Sequence, residues 1–269
     1  MDTCNAYDLA EGKIKGFTRS SVRAKIFLCL KDGPIAVRHI EKLIGIRPST
    51  ILHAIKDMID DDLIARTSDG YRLTNIGKIQ AILLNDLINC IVALDQHKDF
   101  WQSHDMSSIP TELQKKIGML TESEVLKDDP VSILRTHEHF KSELKAAKVI
   151  YGVSPIIVPG YAEAIASSVV QGAQVHLILT KKIFDIVIKE NSDVLQHLLT
   201  FKGFKLFSIE EDITVAFTVT DSILSLGLFL NQGGYDVAND LICKGEQALI
   251  WGKELFDYYL CRSTPIYGI

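Results

Sequence analysis

Residues 34–74 read PIAVRHIEKLIGIRPSTILHAIKDMIDDDLIARTSDGYRLT. Ile35, Val37, Ile40, Leu43 and Ile44 recur at helical spacing after Pro34, whose missing N–H suits a first helical turn. Gly45 ends this pattern. After Ile46 and Arg47 a second one runs through Ile51, Leu52, Ile55, Met58 and Ile59, with Ser49 or Thr50 available to cap its amino end. Ile64 to Thr67 and Tyr71 to Leu73 then predict two strands joined by Ser68-Asp69-Gly70, a strong local hairpin signal. The order helix, turn, helix, hairpin is that of a winged helix-turn-helix. Ser20 to Leu30 supplies the remaining helix, with Val22, Ile26, Phe27 and Leu30 facing inward and Arg19, Arg23 and Lys25 outward.

Between its core positions the second helix shows Arg47, Ser49, Thr50, His53 and Lys56. These side chains donate to phosphates or base edges, and they cluster where a recognition helix meets the major groove of double-stranded DNA. Its far end, Asp57, Asp60, Asp61 and Asp62, is acidic, so the helix must dock amino end first. Arg66 and Arg72 flank the hairpin tip and fit wing contacts. Arg19, Ser21, Arg23 and Arg38 are assigned to flanking phosphates. Winged helices also serve as protein-protein modules, so an adaptor of the transcription apparatus without direct operator binding is the alternative.

Charge separates along the chain. Residues 18–78 hold 11 Lys+Arg against 7 Asp+Glu, a net of +4, while residues 79–269 hold 16 against 24, a net of -8, within a whole-chain charge of -5. A local positive field on an acidic chain fits one DNA-facing domain, since nonspecific affinity comes largely from counterion release. Four net charges are modest, and a dimer is expected. With 269 residues, 47% hydrophobic and 23% charged, the chain is long enough for two globular domains. No charge-free apolar span of about 18 residues and no leader pattern are read. The five cysteines are scattered and never in Cys-x-x-Cys spacing. A cytoplasmic protein that engages no membrane is the expectation.

A long helix is predicted from Asn75 to about Phe100. Leu84, Leu87, Ile91 and Leu94 form one apolar stripe, and Ile79, Leu83 and Ile88 a second. A helix with two apolar sides needs two partners, and homodimerisation through it is expected. Ser103, Ser107, Ser108, Pro110, Asp128, Asp129 and Pro130 break the pattern, leaving only Thr111 to Met119 as a short helix. The domain reading is therefore a DNA-binding winged helix over 1–74, a dimerisation helix and linker over 75–135, and an effector-sensing domain over 136–269.

In that last domain a helix His137 to Ala147, capped by Thr136, precedes a strand Val149 to Val153, a helix Tyr161 to Gln171 and a strand Val175 to Leu179. This order predicts a parallel crossover. Helices Lys182 to Lys189 and Asp193 to Phe201, a strand Lys205 to Ile209, an antiparallel pair Thr214 to Val219 and Ile223 to Phe229, and a helix Glu246 to Tyr259 follow. The fold class is α+β with an α/β second domain built on a mixed sheet.

The residues Asp99-Phe100-Trp101, His104-Asp105, Ile109-Pro110, Gly152-Val153-Ser154-Pro155, Leu177-Ile178-Leu179-Thr180, Val219-Thr220-Asp221, Leu224 to Phe229, Gly233-Gly234-Tyr235-Asp236, Trp251-Gly252 and Glu254-Leu255-Phe256 carry a resemblance, spread over about 170 residues in order. The chain resembles archaeal transcription regulators that join an ArsR-like winged helix to a carboxyl-terminal domain named after methanogenesis and filament regulation. The resemblance implies a homodimeric DNA-binding regulator whose second domain senses a signal. That domain is also similar in outline to half of a phospholipase D fold. The catalytic signature of that superfamily is His-x-Lys followed, after four intervening residues, by Asp, and the nearest match, His139-Phe140-Lys141, has Ala146 in the Asp position.

No other catalytic set is found. His137 and His139 stand at i and i+2 on a helix and diverge, so no metal is expected there. Cys29 sits in a core-facing pattern, and Gly233-Gly234 is followed by no Lys-Ser or Lys-Thr. The chain is read as a non-enzyme without a cofactor. For a small-molecule effector, the carboxyl ends of the parallel strands place Ser154, Pro155 and Thr180 around a crevice that Tyr161 and Tyr235 wall.

Overall fold

The computed structural model describes residues 2–127 and 135–268. The chain divides into two compact units, Met1–Ile88 and Asn89–Ile269. The expected break at Asp128, Asp129 and Pro130 lies outside the described residues.

The first unit opens with a helix that the sequence pattern does not predict, α1 (Thr3–Thr18), which has no fully buried residue. Then come α2 (Ser21–Cys29), α3 (Val37–Ile44), α4 (Pro48–Asp60), β1 (Ile64–Thr67) and β2 (Gly70–Leu73). Ser20 caps α2, its Oγ accepting from the Arg23 N–H at 3.3 Å. Gly45 closes α3 in the left-handed conformation at φ 68°. Ile26, Phe27, Leu30, Ile40, Ile51, Ile55, Met58 and Tyr71 form the core. Burying each of the larger ones stabilises the unit by about 1.5–3 kcal/mol relative to exposure.

Several expectations here need correction. Pro34 does not start α3. Ile35 N–H donates to the Tyr71 carbonyl at 3.0 Å and Tyr71 N–H to the Ile35 carbonyl at 3.1 Å, so this segment is extended and pairs with β2. Gly70, at φ 132°, is required beside it, because a Cβ there would collide with the Ile35 carbonyl. Nor do Ser49 or Thr50 cap α4: Pro48 takes its first helical position and Arg47 is the cap residue, without a side-chain bond. Leu43, Leu52 and Ile59, expected in the core, are exposed.

α5 (Asn75–Gln96) follows the hairpin and ends at His97, whose φ of -127° separates it from α6 (Lys98–Ser103). By length and composition it is apolar enough to cross a membrane, with only 17% of its most apolar stretch buried.

In the second unit, α7 (Thr111–Gln114) and β3 (Ser123–Lys127) precede α8 (Arg135–Ala146), β4 (Val149–Ser154), α9 (Tyr161–Val170), β5 (Gln174–Thr180) and α10 (Lys181–Leu198). Asn191 breaks α10, which agrees with the two helices expected there. β6 (Phe204–Ile209), β7 (Val215–Thr220), β8 (Leu224–Leu228), β9 (Asn239–Cys243), α11 (Gly245–Leu260) and β10 (Thr264–Ile266) complete it. One eight-stranded mixed sheet has the order β10-β6-β5-β4-β7-β8-β9-β3, with β4, β5 and β6 parallel and the remaining pairs antiparallel. One face packs on Trp251, Leu255, Phe256 and Tyr259 of α11 together with Phe100, Trp101, Ile109, Leu113, Ile117 and Leu120. The other packs on Phe140, Leu144, Ile165, Val169, Phe184 and Leu198.

Residues 98–127 therefore differ from the linker expected of them. Their apolar side chains enter the core under α11, and β3 pairs with β9 at the edge of the sheet.

Candidate nucleic-acid interface and ligand crevice

α4 presents two faces because its buried positions, Ile51, Ala54, Ile55 and Met58, follow the three-four spacing of one helical side. Arg47, Ser49, Thr50, His53 and Lys56 are all exposed on the remainder. With Pro48 in the first turn, the hydroxyls of Ser49 and Thr50 are not used as caps. The helix amino end also presents the positive pole of its dipole to an approaching anion. His53 Nδ1 lies 3.7 Å from Asp57 Oδ1, both side chains being solvent-facing. That contact marks where the cationic end of the helix gives way to the acidic one.

Arg19, Ser21 and Arg38 are exposed as expected. Arg23 is not. Its side chain is 18% exposed, and its Nη2 donates to Asp61 Oδ2 at 2.5 Å. This pair ties α2 to the end of α4 and partly neutralises the acidic run, so Arg23 is a positioning residue and leaves the set of free cations.

On the hairpin, Arg66 pairs with Tyr71 and Ala65 with Arg72, so the two arginines start from opposite faces of the ribbon. The Arg66 guanidinium lies over the Tyr71 ring, 5.7 Å from its centroid. The structure thus does not merge Arg66 and Arg72 into one patch.

The expected effector residues are only partly brought together. Ser154 ends β4, its Oγ donating to the Ile156 carbonyl at 2.8 Å before Pro155 turns the chain. Tyr161 opens α9 against Phe140, ring centroids 4.7 Å apart. Tyr235 packs on Phe229 at 5.6 Å, and its phenol lies across Gly227, where a Cβ would collide with the hydroxyl. Thr180 belongs elsewhere. It alternates with Ile178, which packs in the core under α11, whereas Ser154 alternates with Gly152 and Ile150 on the opposite side. The side chains of Thr136, His137 and His139 lie outside the described residues, and with them the metal pair considered there.

Sequence reasoning missed two polar clusters. Asp240, on β9, is fully enclosed. Ser225 Oγ donates to its Oδ2 at 2.5 Å, and Oδ1 has no hydrogen-bond partner among the described residues. Burial pushes its carboxyl up to about 7, the Ser225 bond opposing the rise. Burial first, then the charge of Asp240, also raises the Tyr235 phenol and the Cys243 thiol. An aspartate opening an apolar run, Asp240-Leu241-Ile242-Cys243, was the available signal. The second cluster joins buried His104 to the loop after β8. His104 Nε2 lies 3.1 Å from Asp236 Oδ2, Nδ1 lies 2.6 Å from the Phe100 carbonyl, and Asn239 Nδ2 donates to Asp236 at 2.8 Å.

Two family models match the chain, one described as the N-terminal domain of the methanogenesis regulatory protein FilR1, over residues 11–92, and one as its middle domain, over residues 133–262. A curated relative, the methanogenesis regulatory protein FilR1 of Methanothrix harundinacea (strain 6Ac), is 40% identical over 258 residues. The match takes in 94% of this chain and 58% of the relative, so the chain spans less than two thirds of that protein. Among solved structures, TrmBL2, described as an archaeal chromatin protein with a novel mode of DNA binding, is 12% identical at a TM-score of 0.44, over 91% of this chain and 94% of that one. Nuc, a phospholipase D family member from Salmonella typhimurium, is 12% identical at 0.40, over 54% and 99%. Likeness at that level carries no functional weight.

Proposed function

We propose that the chain is a transcription regulator of the FilR1 kind, in which α2, α3, α4 and the β1–β2 hairpin act as a winged helix that binds double-stranded DNA. The observation that carries this reading is the outer face of α4, where Arg47, Ser49, Thr50, His53 and Lys56 are exposed while Ile51, Ile55 and Met58 hold the helix to its core. In the proposed docking the amino end of α4 enters the major groove. Arg66 and Arg72, coming from opposite faces of the hairpin, meet different parts of the backbone, and Arg19, Ser21 and Arg38 hold flanking phosphates.

Homodimerisation belongs to the same reading. Ile76, Ile79, Ile82, Leu83, Leu87, Ile91, Val92 and Leu94 of α5 are each more than 40% exposed. A second copy is the occupant that fits, because a two-fold pair supplies both an apolar cover and two reading heads with doubled phosphate attraction. The second domain is proposed as a non-enzymatic sensor of a small effector, with Ser154, Tyr161 and Tyr235 near the site, and the protein as cytoplasmic.

One observation favours the adaptor reading. Leu43 and Leu52 are 65% and 44% exposed, apolar surface that a groove of DNA does not require and a protein partner does. Binding to fragments of the source genome, followed by fluorescence anisotropy across a salt series, separates the two. A regulator loses affinity steeply with salt, and charge reversal by Arg47→Glu with Lys56→Glu abolishes binding while the chain stays folded. Retained affinity in that double variant refutes the docking, and absence of DNA binding by the unaltered chain favours the adaptor.

A further inference from the structure

The sheet face opposite α11 changes character along its width. Over β5 and β6 it is mostly apolar, with Val175, Phe204 and Leu206 in one cluster with Ile165 and Phe184 and with Ser208 as the one buried polar residue of β6. Over β4, β7, β8 and β9 the same face carries Gly152, Ser154, Thr218, Ser225, Gly227 and Asp240. Their shared side follows from the register, Gly152 opposite Thr218, Thr218 opposite Ser225, and Ser225 opposite Ile242, two residues from Asp240. Ser154 and Thr218 stay partly exposed in strands that lie in the middle of the sheet, whereas Val215, Phe217, Leu226 and Leu241 on the reverse side are at most 3% exposed.

A polar half-face inside an otherwise apolar sheet is costly unless something uses it. The cost is largest at Asp240 Oδ1, a fully buried oxygen of an ionisable group with no donor among the described residues, while the other Asp240 oxygen is well bonded by Ser225. The Tyr235 phenol lies over the adjoining Gly227, next to Ser225 on the same face of β8. A buried carboxylate beside a phenol ring recognises an N–H donor that carries positive charge. The N–H⁺···O⁻ bond is charge-assisted, and the ring faces attract the same cation. A neutral hydroxyl satisfies the oxygen but leaves the buried charge uncompensated.

We infer that this half-face is a binding site for a small primary-amine ligand whose ammonium group donates to Asp240 Oδ1 beside Tyr235. Oδ1 is closed to solvent, so the ligand enters as Tyr235 swings aside on Gly233 and Gly234, both exposed and at φ 93° and 85°. The site deepens the sensor reading above and rests on it only for its regulatory consequence.

The test uses the full chain at pH 8, with thermal unfolding followed by tryptophan fluorescence. The probes are n-butylammonium chloride and 1,4-butanediol, with sodium chloride at matched ionic strength as the reference. A saturable rise in Tm with the amine, absent with the diol and shifted at least tenfold to higher concentration by Asp240→Asn, is the expected result. An equal amine effect in Asp240→Asn means general attraction to an acidic chain and overturns the site, as does an equal response to the diol. DNA retention, scored separately, bears on the regulator reading alone. Its absence overturns that reading, while a saturable, Asp240-dependent amine shift still supports the site.

Discussion

Replacing Asp240 by asparagine tests the energetics of the second domain without any ligand. The Asp240 carboxyl, pushed up to about 7 by burial, sits above the roughly 3.9 of an unfolded aspartate. The folded state therefore holds the extra proton. It suffers nothing from this group at acid pH and loses stability as pH rises from the unfolded value towards about 7, above which the buried carboxyl ionises and the loss levels off. Each unit of difference is worth about 1.4 kcal/mol, so the penalty grows from roughly 1.5 kcal/mol at pH 5 to roughly 4 kcal/mol at pH 8. The Asp240→Asn variant lacks this contribution at every pH. It also leaves an unpaired amide N–H where Oδ1 now lies, costing about 1–3 kcal/mol independently of pH. The expected outcome is a variant that gains about 2.5 kcal/mol on the unaltered chain between pH 5 and pH 8, whatever its offset. Both tryptophans, Trp101 and Trp251, are buried in this domain, so urea unfolding by fluorescence follows it alone. A variant-minus-parent stability difference that stays flat from pH 5 to 8 would refute the reasoning.

Other perturbations discriminate as sharply. Leu83→Glu with Leu87→Glu removes two α5 side chains that are 64% and 55% exposed; counted on both protomers, roughly 4–8 kcal/mol of association is at stake, and sedimentation should show a monomer. An unchanged dimer would place the interface elsewhere. Gly70→Ala drives a Cβ against the Ile35 carbonyl at φ 132° and should destabilise the first unit by at least about 2 kcal/mol in calorimetry; a neutral effect would mean that the Ile35 pairing is dispensable. Arg23→Ala should leave the salt slope of DNA binding untouched, since its guanidinium is already bonded to Asp61. A slope lower by about one would return Arg23 to the phosphate contacts.

Elements with a local signal of their own were legible in the sequence. The three-four spacing of Ile51, Ile55 and Met58, the Asp-Gly hairpin and the short apolar runs of β4 to β8 each supply one, and the structure places all of them within a few residues of expectation. What escaped was decided by tertiary pairing. Thr264–Ile266 contains Pro265 and reads as no strand until β6 is beside it, and Ser123–Lys127 is mostly polar because it is an edge. Ile35 fits a helical stripe and was captured by Tyr71 instead. The candidate site residues divide similarly. Exposure of the α4 donors follows from periodicity, but the Arg23–Asp61 pair joins residues 38 apart, and the partner of Ser225 lies on another strand. Neither leaves a local trace.

The two rims of the eight-stranded sheet limit how copies of this chain can associate. β10 is three residues long and contains a proline that offers no N–H, and β3 carries Glu124 and Lys127 on either side of Val125 and Leu126. Gln96 and His97 also lie against Ser123, the first residue of β3. Such rims resist strand-to-strand addition, the route by which open sheets grow into fibres. Backbone-templated assembly is blunted on both sides, so any association of copies has to use side-chain surfaces, and it closes at two copies only where the same patch meets itself across a two-fold axis.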